Sequence, residues 1–234
     1  MRMASDAKAF FESWPENNGY DLRFKKTGRI SESLDPSQKS VKFAPQDAEA
    51  RYNLGNTFKE LGRLDEAEKS YKQAIAFKPE FSEAHNNLGI TLQELGRLDE
   101  ALANYSQAIT LKPDFALAHN NLGIMLQELG RSDEALASYS QAIALQPDYA
   151  EAHVNLGIAI KSVRFNSANP SLYLPLTQLL TAGNFTRPND VAVSILSLLK
   201  HDTQIKDLLL EKNFAVSLNE ATSIIKSLDK LPLL

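Results

Sequence analysis

The chain has no cysteine. That removes disulfides, thiolate metal sites and cysteine nucleophiles from consideration, and it is compatible with a reducing compartment. Its 10 glycines form no phosphate-cradling loop, and neither a nucleophile elbow nor an HExxH helix is present. No apolar run approaches the roughly 18 residues of a membrane span. The opening residues, MRMASDAKAFFESWPE, lack the apolar core of a secretion signal. A cytoplasmic location without a membrane partner is therefore expected. Positive charge is the scarcer sign: 25 Lys and Arg face 29 Asp and Glu, a formal net charge of −4. A general affinity for nucleic acid is not expected of such a chain.

What the sequence has in plenty is self-similarity. Residues from Ala48 read AEARYNLGNTFKELGRLDEAEKSYKQAIAFKP, and close copies begin at Ser82 and Ala116. A fourth copy starts AEAHVNLGIAI at Ala150 and then stops matching. Pro79, Pro113 and Pro147 recur every 34 residues, as do Gly55, Gly89, Gly123 and Gly157. A fixed period in this range is the signature of a repeat architecture. The second and third copies differ at six of the 31 positions between 83–113 and 117–147, which argues for duplicated architecture more than for a unique catalytic centre.

Each copy reads as two helices. In the second, Leu88, Leu92 and Leu95 fall on one helical face. Gly96 stands where a helix ends in a left-handed residue. Asp99 and Glu100 suit the first turn of a second helix, which carries Leu102, Tyr105, Ala108 and Ile109 and is closed by Pro113. Gly89 lies mid-helix at a cost of roughly 1 kcal/mol against Ala; its recurrence implies close packing, with Ala101 and Ala108 as the expected neighbours. One such pair cannot bury its own apolar face, so the copies must stack.

The Leu-Gly, Tyr, Ala and Pro layout at 34-residue spacing resembles the tetratricopeptide repeat (TPR) family. The resemblance implies an all-α fold, a right-handed superhelical solenoid of helix–turn–helix units with a helical C-terminal tail. Three full repeats, 48–81, 82–115 and 116–149, and a partial fourth from 150 make an array over 45–165. Residues 1–44 read as a loosely ordered leader, with one short helix from Ser5 to Trp14. Residues 166–234 read as a cap or the start of a further domain, with helical segments near 171–182, 190–200, 203–212 and 218–230. The apolar ending Lys-Leu-Pro-Leu-Leu leads to the expectation that more protein follows. Arrays of this kind resemble the front portions of bacterial glycosyltransferases of the O-GlcNAc transferase type and of TPR-linked methyltransferases.

Counting from 48, 82, 116 and 150, positions 4, 7, 8 and 11 of the first helix share one side and positions 2, 5, 6, 9 and 13 the other. In a TPR stack the second side lines the concave groove. Position 6 is Asn53, Asn87, Asn121 and Asn155. An amide offers both a donor and an acceptor, so a row of them suits the backbone of an extended peptide; this resembles the asparagine ladder of O-GlcNAc transferase-type arrays. The other reading is that these amides tie neighbouring helices together. Position 9 supplies Asn56, Ile90, Ile124 and Ile158, a candidate apolar strip. Position 5 supplies Tyr52, Asn86 and Asn120 beside it, with Val154 in the last copy. TPR domains that clamp a C-terminal carboxylate use basic side chains where this chain has Tyr52, Leu117 and Asn121; only Asn56 and Asn87 fit that pattern. His85, His119 and His153 at position 4 are too widely spaced for one metal ion and read as packing residues.

The sequence thus points to a non-catalytic interaction scaffold that holds an extended peptide or partner helix, without cofactor or metal. The alternatives are the targeting part of a transferase whose catalytic domain lies elsewhere, and self-association through the solenoid ends.

Overall fold

The computed structural model describes residues 34–163 and, beyond them, Asn169, Leu172, Pro175, Leu176, Ser197 and Leu198. Among the described residues there are eight α-helices and no strand. They are α1 (Leu34–Phe43), α2 (Ala48–Glu60), α3 (Leu64–Phe77), α4 (Ser82–Glu94), α5 (Leu98–Leu111), α6 (Ala116–Glu128), α7 (Ser132–Leu145) and α8 (Ala150–Ser162). The fold is all-α, built of TPR-type helix pairs. The expected Ser5–Trp14 helix lies outside the described residues, as does most of the expected helical tail; Leu172, Leu176 and Leu198 of that tail are buried.

The chain forms two compact units, Met1–Pro113 and Asp114–Leu234. In the first, α2 packs on α3 and α4 on α5, while α3 also packs on α4. In the second, α6 packs on α7 and α7 on α8.

The turn inside each repeat follows from one glycine. Gly62, Gly96 and Gly130 have φ of 71°, 74° and 72°, a region that costs other residues roughly 1–2 kcal/mol. After α4, Gly96 donates its N–H to Gln93 O at 2.9 Å and Arg97 to Leu92 O at 2.9 Å. This pair of bonds satisfies carbonyls that a helix end leaves open. Arg97 then reaches forward to Glu100 at the start of α5, as Arg63 does to Glu66 and Arg131 to Glu134.

The packing centre differs from the expectation in one respect. Ala101 and Ala108 are fully buried, but the space left by Gly89 is filled by the ring of Tyr105. A Cβ on Gly89 would stand 2.7 Å from Tyr105 Cε1, and Gly55 against Tyr71 and Gly123 against Tyr139 repeat the arrangement at 2.6 Å. All three rings are buried at 0% exposure, so their hydroxyls need partners. Tyr71 donates to Asn56 Oδ1, Tyr105 to Gln93 Oε1 and Tyr139 to Gln127 Oε1, at 2.8, 2.9 and 3.0 Å. Burial, aided by the charge of Glu128, pushes the Tyr139 hydroxyl well above the usual tyrosine range.

A second difference concerns the leader. Its residues 34–43 are the helix α1, which packs on α2 with Val41 buried. Pro36 sits in the first turn of α1, where a proline displaces no hydrogen bond, and Asp35 favours the same turn through the helix dipole. Phe43 and Pro45 stand 34 residues before Phe77 and Pro79, so α1 occupies the place of a second helix from a preceding repeat.

Candidate functional site

Position 6 of the first helices meets different surroundings in each unit. In the first unit, Asn87 on α4 donates from Nδ2 to Tyr52 Oη at 3.0 Å and to Asn56 Oδ1 at 2.9 Å, both on α2. Asn56 Oδ1 also receives the Tyr71 hydroxyl, and Asn86 Nδ2 donates to Asn87 Oδ1 at 3.1 Å. Tyr52 is fixed from its other side, its ring centroid 4.9 Å from that of Phe81. The Asn87 amide is therefore held in one orientation between two repeats. Asn53 is half-buried, and no described residue bonds its side-chain amide; the Nδ2 of Asn56 is likewise unengaged.

In the second unit, Asn155 on α8 donates from Nδ2 to Asn120 Oδ1 on α6 at 3.0 Å, and Asn120 Nδ2 lies 3.4 Å from Glu151 Oε1. Asn121 is 9% exposed. Burial and the Glu151 charge, opposed by a bond from Asn120, push the Tyr149 hydroxyl up to about 12.

Not every residue expected on this side is open. Asn86 and Asn120 are 1% and 0% exposed, so position 5 in the two middle copies lies beneath the surface; the wheel of a single helix ignores the neighbour that covers it. Ile90 and Ile124 are half-buried, and Ile158 is exposed. Tyr52 and Asn56 are half-buried.

Three of the four position-4 side chains serve the joints between copies. Arg51 Nη2 donates to Pro45 O at 3.2 Å, His85 Nε2 lies 3.2 Å from Pro79 O, and His153 Nε2 donates to Pro147 O at 2.9 Å. Each reaches the carbonyl of a helix-ending proline six residues earlier. Among the described residues no group of His, Asp and Glu has metal-binding geometry, and no helix is long and apolar enough to cross a membrane.

Ion pairs add to the packing of the first unit. Arg97 Nη1 lies 2.7 Å from Glu68 Oε1 of the preceding repeat, and within the second repeat Lys112 Nζ lies 3.1 Å from Glu83 Oε1. Burial opposes the charge of Glu83, but its own backbone N–H, Lys112 and Ser82 together hold the carboxyl below the usual range.

A model described as TPR repeat matches residues 55–96, 92–130 and 125–162, and one described as Tetratricopeptide repeat matches residues 38–69. Together the two span 38–162, more than half of the chain. A crystal structure of MamA is similar at 18% identity and a TM-score of 0.56, over 81% of this chain and 95% of that one. MamA from residue 41 to its end, of Desulfovibrio magneticus RS-1, is similar at 17% identity and a TM-score of 0.55, over 84% and 93%. Likeness at this identity is likeness of fold. No curated protein matches. The expected resemblance to O-GlcNAc transferase-type and methyltransferase arrays finds no support in these comparisons.

Proposed function

We infer that this chain, a member of the tetratricopeptide repeat family, is a non-catalytic protein-interaction scaffold whose first helices hold an extended segment of another polypeptide. One observation carries the reading. In the first unit Asn87 is fixed by Tyr52 and Asn56, while the amide of Asn53 and the Nδ2 of Asn56 have no bond to a described residue. An amide held in place before binding loses little freedom on contact, and such preorganisation raises affinity. The unengaged amides beside it supply donors and an acceptor for a peptide backbone. Each neutral bond is worth roughly 0.5–1.5 kcal/mol, so affinity grows with the number of repeats engaged.

The test uses a partner recovered by crosslinking and identified by mass spectrometry. Replacing Asn53 by Ala lowers its affinity about fivefold, in line with one lost bond of roughly 1 kcal/mol, and leaves the far-ultraviolet helical signal intact. Unchanged affinity in this variant would remove the reading. Nothing in the geometry favours the transferase or self-association alternatives. A native stop directly after Leu234 would end the first, and a mass independent of concentration the second.

A further inference from the structure

The first-helix faces of the two units differ in chemistry. In the first unit they carry the Tyr52–Asn87–Asn56 cluster, and the exposed large hydrophobics there, Phe43 and Phe77, stand at the ends of α1 and α3. In the second unit Leu117, Val154 and Ile158 are exposed by 41%, 37% and 52%, and all three stand on first helices. Val154 and Ile158 are four residues apart on α8; Leu117 and the half-buried Ile124 are seven apart on α6. Each pair forms a stripe on its helix. The Asn155–Asn120 bond ties the two helices together between the stripes.

The charge around these stripes has one sign. The last turn of α6 ends in Glu128, and the first turn of α8 holds the exposed Glu151. Residues 114–163 contain six carboxylates and two bases. Of the bases, Arg131 is paired with Glu134 and Lys161 is also engaged. An exposed patch of branched aliphatics is uncommon without a partner, and an acidic frame repels acidic segments while attracting basic ones.

We propose that α6 and α8 select a cationic amphipathic segment of a partner protein, with aliphatic side chains on the Leu117, Ile124, Val154 and Ile158 stripes and lysine or arginine beside Glu128 and Glu151. This rests on the reading that first helices hold a polypeptide, and it adds the chemistry of that polypeptide. Here side chains, not only main chain, are read.

A library of random short linear peptides displayed on phage and selected on the full chain tests it. The selected pool is expected to be rich in Lys or Arg next to Leu, Ile, Val or Met. Val154→Thr with Ile158→Thr, both at exposed positions, lowers the affinity of the selected peptides about tenfold and removes the aliphatic preference. Glu128→Gln with Glu151→Gln removes the basic preference and flattens the dependence of affinity on salt. A pool rich in acidic or purely polar residues overturns the proposal, as does a pool without any preference. Peptides indifferent to the changes at 154 and 158 but lost with Asn53→Ala and Asn87→Ala also overturn it, while the broader reading of the first helices stands.

Discussion

Gly89 lies so close beneath Tyr105 that a Cβ at position 89 would meet Cε1 at 2.7 Å. Two effects oppose each other when Gly89 becomes Ala. Helix propensity favours Ala by roughly 1 kcal/mol, whereas forcing a methyl group into a filled core costs about 1–3 kcal/mol. The ring is packed at 0% exposure and its hydroxyl is bonded to Gln93, so it has little room to give. Gly89→Ala is expected to unfold at lower urea concentration than the parent. A higher midpoint would mean that the glycine is not there for the ring.

Gly96 is a different case, with nothing within 4 Å of a Cβ placed there and a φ of 74°. Substitution meets backbone strain and no collision. Gly96→Ala should cost roughly 1–2 kcal/mol, and Gly96→Asn less, because asparagine tolerates that conformation. Equal losses for both, read from urea midpoints, would contradict this account of the turn.

Asn87 and Asn53 share a repeat position but not a role in stability. Asn87→Ala removes the bonds to Tyr52 and Asn56 and should cost about 1–3 kcal/mol. Asn53 has no side-chain partner among the described residues, so Asn53→Ala should fall within about 0.5 kcal/mol of the parent. Thermal or urea unfolding of the two variants decides it.

Acid should loosen the joint between the first two repeats. Burial opposes the charge of Glu68, but bonds from Lys72 and Arg97 outweigh it and hold the carboxyl below the usual range. The folded pKa is thus lower than the unfolded one, near 4.3 for a glutamate. The stabilisation is present at neutral pH and is lost as pH falls through the depressed value. Arg97→Gln should make unfolding less sensitive to pH below about 4.3, by a small amount because the pair is partly open to water. The same pH profile in parent and variant would rule the tie out.

The 34-residue period made the helix pairs, the Gly96 turn and the proline ends legible, because each is local chemistry repeated. What lay across a helix pair was not. Tyr105 fills the gap at Gly89, although glycine and tyrosine recur in step, 16 residues apart, in three copies; that interval was the available signal. The helix α1 was hidden by Pro36, which signals a turn as readily as a first helical turn, while Pro45 and Phe43 already continued the period. At the candidate site, periodicity put Asn87 on the side of its helix away from the buried Leu88 and Leu92. It could not show that Tyr52 and Asn56 would fix its amide, nor that Asn86 and Asn120 would be covered, because both depend on the adjoining helix.

The central claim is that first helices, not second helices, hold the partner. The most direct measurement is nuclear magnetic resonance of the side-chain amides during titration with the partner segment recovered by crosslinking. Within the first unit, the NH2 signals of Asn53 and Asn56 are expected to shift with added segment while that of Gln107, exposed on α5, stays in place. Movement confined to Gln107, with the two asparagines unmoved, would contradict the claim.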